Sequence, residues 1–253
     1  MSDIIIKATD LGKRYVAELE REFLVKNLFT KARRKGRGHR DFWALSEVNF
    51  EIHRGESVGI VGRNGAGKST LLRLIAGATR GDSGALTVNA SPRKIVGLMN
   101  LTGWLNLDLT GLENIYYAGA LLGLDADYIS SVLDDIAAFA EVDRFPAFLD
   151  TPTRRFSAGM GARLAFALAM HSDPELLLID EVLAVGDVGF RQKCFAKIRE
   201  LQERGVTIII VSHHLPEVIK FCSKALWLRE GKQVAYGEVE SVGRQYEAEQ
   251  IAV

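Results

Sequence analysis

The chain has 253 residues, 47% of them hydrophobic, and its 32 basic and 32 acidic side chains cancel to a formal net charge of zero. That is enough apolar material for one large domain, or a core carrying a subdomain, and it excludes the disordered and collagen-like classes. The charge balance excludes a global attraction to nucleic acid or to an anionic membrane, so any such contact is local.

In chain order, the β-branched run Ile4–Ile6 and the alternating stretch Trp43–Ile52 read as strands, the second closed by a turn at His53–Glu56. Between them residues 17–41 are highly charged and end in the basic run KARRKGRGHR, Lys31–Arg40. This segment reads as an insertion between neighbouring strands. Its basic cluster is either a solvated loop or a contact for lipid phosphates or an acidic partner surface.

Ser57–Val61 is a short, continuously apolar strand of the buried parallel type, followed by a glycine loop and an amphipathic helix carrying Leu71, Leu72, Leu74 and Ile75. Further strands are expected at Ala85–Val88 and Lys94–Met99. From Thr110 to Ala140 the apolar period becomes helical, and Pro146 and Pro152 mark a loop at Phe145–Thr153. This block reads as a helical subdomain inserted into an α/β core. Strands at Leu176–Ile179 and Val206–Val211 then alternate with helices at Phe190–Glu203 and Pro216–Phe221, the pattern of a mainly parallel sheet.

No run reaches the ~18 to 20 apolar residues that a membrane-spanning helix requires. The first residues, MSDIIIKATD, lack a basic-then-apolar design, so secretion is not expected. Cys194 and Cys222 stand apart, with no CxxC spacing and no clustered histidines, and read as reduced cytosolic thiols rather than a disulfide or zinc framework.

Gly62-Arg63-Asn64-Gly65-Ala66-Gly67-Lys68-Ser69 fits the phosphate-loop pattern G-x-x-x-x-G-K-[ST], in the strand-then-helix setting the pattern needs. The glycines let backbone N–H groups, continuing through Thr70, close around the β- and γ-phosphates of ATP or GTP. Lys68 adds a point charge, and the Ser69 hydroxyl suits Mg²⁺. The run LLLIDE places Asp180 and Glu181 just past a buried strand, at the sheet edge where ligands bind. There Asp180 reaches Mg²⁺ through a water and Glu181 faces the attacking water. An ordinary solvated strand end is the alternative, and it leaves their coincidence with a phosphate loop unexplained. His213, after the strand ending at Val211, is placed to stabilise the γ-phosphate in the transition state, or else is a polar strand cap.

A second anion cradle follows at Ser157-Ala158-Gly159-Met160-Gly161, directly before a helical apolar run. With it the chain resembles the nucleotide-binding subunit of an ABC transporter, from Ile4 to about Tyr246. The signature of that family normally reads Leu-Ser-Gly-Gly-Gln, and FSAGM, residues 156 to 160, matches at the serine and the second glycine. The resemblance implies an α/β fold: a P-loop NTPase (RecA-like) core of mainly parallel sheet, with an antiparallel β subdomain and an inserted α-helical subdomain. The whole chain is then one ATPase domain, residues 1–99 and 174–253 forming the core with its β subdomain and residues 107–172 the helical subdomain.

It further implies that Ser157, Gly159 and Met160 complete the ATP site of a second copy in a head-to-tail dimer, which would explain two cradles in one chain. By the same resemblance Gly186-Asp187 crosses between subunits and Tyr15 in LGKRY stacks on adenine, a contact that other purines can share. The runs ARLAFALAM, DEVLAVGDVGFRQKC, LTGLENI and VSHHLPEVIKFC are similar to the ATPases of bacterial exporters for O antigen, capsule or teichoic acid. That similarity implies an ATP- and Mg²⁺-dependent homodimer at the cytoplasmic face of the bacterial inner membrane. It would drive a separate integral membrane subunit that exports a lipid-linked polysaccharide, meeting the glycan only indirectly and binding no nucleic acid.

Two departures stand out. Where the family carries a glutamine that contacts Mg²⁺, Asn100 is the best positional match, one methylene shorter. After the helix-like Val239–Ile251 no appended carbohydrate-binding domain is expected, which would leave the substrate path to the membrane subunit. Competing expectations are an ATPase of another ABC transporter class, and a soluble ABC-type ATPase acting on DNA or ribosomes, which usually carries coiled-coil insertions or two cassettes. A nonhydrolysing ATP-binding module would not need Glu181 and His213.

Overall fold

The computed structural model describes residues 3–17, 40–99, 101–142, 146–180 and 187–251. Strand β1 (Ile4–Ala17) and strand β2 (Arg40–His53) pair antiparallel, from Ile4 opposite His53 to Ala17 opposite Arg40. The first strand therefore runs well beyond its apolar start at Ile4–Ile6. Ladder pairing, rather than apolar alternation, carries it on through polar residues. A register shift after Ala8 is accommodated by left-handed backbone at Asp10 (φ 47°). The Asn49 side chain satisfies this irregularity, accepting from Asp10 N at 2.8 Å and donating to Asp10 Oδ1 at 3.0 Å. Residues 18–39 connect the adjacent ends of this pair, and the basic run from Lys31 to His39 lies with them outside the described residues.

The chain continues through β3 (Ser57–Val61), α1 (Lys68–Ile75), β4 (Ser83–Val88) and β5 (Ile95–Gly97). The last is only three residues long, because Pro92 starts a 3₁₀ turn that takes up Lys94, and because this edge strand has one neighbour to pair with. Four helices follow: α2 (Gly111–Leu121), α3 (Ala126–Ser131), α4 (Leu133–Ala140) and α5 (Ala158–His171). The remainder alternates: β6 (Leu176–Asp180), α6 (Val188–Glu203), β7 (Thr207–Val211), α7 (Leu215–Phe221), β8 (Lys224–Arg229), β9 (Lys232–Glu238) and α8 (Val239–Ile251).

Among the described residues the nine strands lie in the order β4-β1-β2-β9-β8-β3-β7-β6-β5. The run from β8 to β5 is parallel throughout, and the β4-β1-β2 part is antiparallel. Strand β9 lies between them, pairing antiparallel with β8 and meeting β2 in a single parallel pairing of Lys232 with Ser46. Every residue of β3 and β7 is buried, as parallel strands covered on both faces must be. Leu71, Leu72 and Ile75 of α1 cover one face against Ile60, Leu178 and Ile209. Phe166, Phe190 and Ile198 cover the other against Leu177, Ile179 and Ile208.

Helices α2 to α5 hold a core of their own around Ile115, Ile129, Ile136 and Leu164. Residues 164 to 170 of α5 are all buried because this helix packs both on that core and on the sheet. The start of α2 is fixed by a reciprocal capping box between Thr110 and Glu113. Fully buried Asn114 donates to the carbonyls of Asn106, Leu109 and Thr110 and to the Thr153 hydroxyl, and accepts from Asn106 N. Every polar atom of this amide is thereby satisfied, and the segment leading to α5 is pinned to α2. Cys194 and Cys222 are free and buried, and burial pushes each thiol up to about 12. Among the described residues no helix is long and apolar enough to cross a membrane.

Candidate functional site

The loop from Gly62 to Gly67 leaves the buried end of β3 and turns straight into α1. Gly67 occupies the N-cap of α1 at φ 103°, where a Cβ would come within 2.5 Å of the Ala44 carbonyl oxygen. A Cβ at Gly62 would meet the Leu228 carbonyl at 2.3 Å. Both positions therefore require glycine. No side chain caps α1, so the N–H groups of its first turn, which have no intrahelical acceptors, remain available to an anion at the positive end of the helix.

Lys68 is 6% exposed, and its Nζ donates to the carbonyls of Gly62 at 2.8 Å and Arg63 at 3.2 Å. The loop thus holds its own lysine in place, and Gly62 and Arg63 serve the site through their carbonyl oxygens. A cleft of about 500 Å³ opens over this loop. Asn64, Gly65, Ala66, Gly67, Lys68, Ser69 and Thr70 line it, together with Asp180 and Tyr15. Asp180 reaches the same cleft as the loop because β6 ends beside β7 and β7 beside β3 in one parallel register, while Tyr15 comes to it from β1.

Two cleft residues were not evident from the sequence. Phe42 and Ala44 of β2 also line the cleft, and Phe42 stands directly opposite Tyr15 in the β1–β2 pairing. The signal was present only as an aromatic next to a strand start, and its partner sits across the insertion.

Asp180 is the last residue of β6 and pairs in register with Val211, the last of β7. His213 lies two residues beyond Val211, exposed, and does not line the cleft. The turn that carries it is tied by Ser212, whose Oγ accepts from His214 N at 3.0 Å and donates to Glu217 at 3.3 Å. Glu181, Gly186 and Asn100 lie outside the described residues.

The second cradle is elsewhere. Ser157 caps α5, its Oγ accepting from Met160 N at 3.2 Å, and Ser157, Gly159 and Met160 are not part of the cleft. Asp187 caps α6 in the same manner, accepting from Phe190 N at 2.9 Å. That backbone hydrogen bond first, and then Arg163, holds its carboxyl below the usual carboxylate range. Within one chain, then, the residues fall into a cleft around Lys68 and a separate pair of exposed helix starts.

The cleft fits a magnesium nucleotide on three independent grounds. The uncapped α1 terminus and buried lysine suit a polyphosphate. Ser69 and Asp180 offer hard oxygen donors of the kind Mg²⁺ takes while keeping waters and phosphate oxygens as its other ligands. Tyr15 and Phe42 present aromatic surface to the same cleft.

A mostly parallel sheet, a phosphate loop running into a helix, and a carboxylate at the end of a strand two places away define a P-loop nucleotide-binding domain. Within that class, residues 45–184 match the ABC transporter family, and the chain belongs to it. The O-antigen export system ATP-binding protein RfbB of Klebsiella pneumoniae is 38% identical over 203 residues, 80% of this chain and 80% of that protein. The teichoic acids export ATP-binding protein TagH of Bacillus cereus is 39% identical over 243 residues, 96% of this chain. The ABC transporter protein AbcA of Aeromonas salmonicida is 42% identical over 205 residues, 81% of this chain. The match spans 42% of TagH and 65% of AbcA. Among solved structures, the ATP-binding cassette MJ0796 in a dimeric post-hydrolysis state bound to ADP and Pi has a TM-score of 0.71 at 21% identity, covering 92% of this chain and 98% of that one. That likeness is one of fold.

Proposed function

We propose that this chain is the ATP-hydrolysing subunit of an exporter, working as a head-to-tail pair of copies that drives a separate membrane subunit to move a lipid-linked polysaccharide. The observation that carries the reading is the cleft itself: an uncapped helix N-terminus, a buried lysine and an acidic strand end converge on one space of about 500 Å³. The relatives named for O-antigen and teichoic acid export supply the substrate class. The cytoplasmic face of a bacterial plasma membrane is the place this reading requires.

In this reading the N–H groups from Gly65 to Thr70 and the Lys68 ammonium bind and neutralise the triphosphate, and Tyr15 holds the base. Ser69 and Asp180 hold Mg²⁺, with Asn100 as a third candidate; bound there, the ion supplies charge neutralisation at the phosphate oxygens. Glu181 accepts the proton of the attacking water or orients it, and His213 stabilises charge at the γ-phosphate. Ser157, Gly159, Met160 and Asp187 act on the cleft of the other copy. The exposure of Ser157 and Asp187, and the separation of all four from their own cleft, support that assignment.

The test is purification of the tagged chain from its native membranes, with ATPase assay of what co-purifies. Magnesium-dependent ATP turnover with a polytopic membrane protein bound is the expected result, and Lys68→Ala in the cell should abolish a surface glycan. A chain that neither binds ATP nor retains a membrane protein would overturn the reading.

A further inference from the structure

Phe42 is a large apolar side chain left 53% exposed at the rim of the cleft. Its ring centroid lies 5.9 Å from that of Tyr15, the planes tilted by 30°. A base sandwiched between two rings needs them roughly 7 Å apart, twice the ~3.4 Å spacing of stacked bases. At the observed separation and tilt no base fits between them. The two rings instead pave one continuous wall, as cross-strand aromatic neighbours do.

The Lys13 ammonium sits over the Tyr15 ring, 5.4 Å from its centroid, and is itself held by Asp82 at 3.0 Å. Apart from the Tyr15 hydroxyl, the side chains of Tyr15, Phe42 and Ala44 carry no hydrogen-bonding group with which to read the edge of a base. Such a surface recognises area rather than pattern.

We infer that Phe42 is a second base-contacting residue, and that the paved wall selects purine over pyrimidine nucleoside triphosphates by ring area without separating adenine from guanine. The inference rests on the nucleotide reading of the cleft. A two-ring base covers both side chains, and a one-ring base covers about one of them.

Displacement of a fluorescent mant-ATP by unlabelled ATP, GTP, CTP and inorganic tripolyphosphate tests this on the full chain. In the wild type, ATP and GTP should displace within about threefold of one another and CTP less well. Phe42→Ala should weaken ATP and GTP by about fivefold or more, on the scale of lost aromatic stacking, with tripolyphosphate unchanged. Phe42→Trp should restore purine binding, and Phe42→Leu, which keeps an apolar side chain on the strand, should fall between. Added to Tyr15→Ala, Phe42→Ala should lower ATP affinity further; the two rings are neighbours, so the increment is read for its presence and not for equality with the single-variant loss. Unchanged ATP affinity in Phe42→Ala, or no further loss in the double variant, would overturn the proposal, the second by showing that Phe42 only props Tyr15. An equal fall for tripolyphosphate would overturn it too, by showing a distorted loop. A wild type that fails to bind mant-ATP would instead sink the nucleotide reading as a whole.

Discussion

The Arg163 guanidinium donates to Asp187 at 2.8 Å and to Glu141 at 2.5 Å, so one side chain of α5 ties its own helix to the cap of α6 and to the end of α4. Lys193 of α6 joins the same Glu141 at 2.6 Å, and the guanidinium lies 4.9 Å from the centre of the Phe190 ring. The Asp187 end of this network is solvent-exposed, so its worth lies in orientation more than in binding energy. It couples the orientation of the helix starting at Ser157 to that of the segment at Asp187.

Arg163→Ala should therefore lower ATP turnover by about tenfold or more while leaving nucleotide affinity within about twofold, since the cleft is untouched. Arg163→Lys should recover little, because an ammonium cannot span both carboxylates as the planar fork does. Turnover and nucleotide affinity measured on the same preparations decide it. The tie also has a pH sense. Asp187 titrates below its ordinary value, so the contact contributes above the usual aspartate range and fades as pH falls through the lowered value. Neutral pH keeps it intact.

At the phosphate loop, Lys68→Ala should abolish measurable ATP binding without unfolding the chain, whereas Gly67→Ala should damage both. A Cβ at residue 67 meets the Ala44 carbonyl at 2.5 Å in backbone at φ 103°, a strain of about 1 to 3 kcal/mol or more. Calorimetric titration with ATP and thermal melts separate the two effects. Normal ATP binding by Lys68→Ala would remove the basis for reading this loop as a phosphate site.

Why was the loop legible from sequence when Phe42 and the Arg163 network were not? Gly62 to Ser69 is one contiguous segment whose function is set by local backbone conformation, so its pattern carries its own structural context. Phe42 acquires its role only through antiparallel register with Tyr15, and residues 18–39 separate the two strands in sequence. Arg163, Glu141 and Asp187 come from three helices, and only packing brings them together. The parallel strands β3, β6 and β7 were readable to within a residue because burial on both faces demands an unbroken apolar run. By contrast, β1 was underestimated because its second half, residues 11–17, mixes polar and apolar residues without a clean alternation and is held by its ladder with β2. Lys94–Met99 was overestimated because an apolar edge run says nothing about how few partners it has.

Both cysteines should resist alkylation. Burial pushes each thiol up to about 12, so the reactive thiolate is scarce at mildly alkaline pH, and neither residue is exposed. Iodoacetamide followed by mass measurement should find Cys194 and Cys222 unmodified in the native chain and both modified in denaturant. Rapid native labelling of either would contradict the packing described for α6 or α7.

Glu181→Gln should keep ATP affinity while losing about 10²- to 10⁴-fold in turnover, the usual worth of a general base. With hydrolysis blocked, the ATP-bound pair should outlast a sizing column in the presence of Mg²⁺. Persistence as a monomer would count against a site shared between copies.

Ser157 separates the two meanings that one helix start can have. Its Oγ already accepts the Met160 N–H at 3.2 Å, so it is a working cap whether or not it serves a second copy. Were capping its whole role, Ser157→Ala would cost ~0.5 to 2 kcal/mol of stability and leave turnover nearly intact. A ligand to the other copy's phosphate predicts the opposite division: turnover and dimerisation lost, and ATP binding by the single chain retained. The expected outcome is the second. Mixing sharpens it: Lys68→Ala and Ser157→Ala chains, each inactive alone, are combined with the membrane subunit present. A heterodimer then carries both lesions at one site and none at the other, because each site takes Lys68 from one copy and Ser157 from its neighbour. Either homodimer has only damaged sites. Partial recovery on mixing can come only from the undamaged composite site, and normal turnover by Ser157→Ala alone would reduce residue 157 to the cap it visibly is.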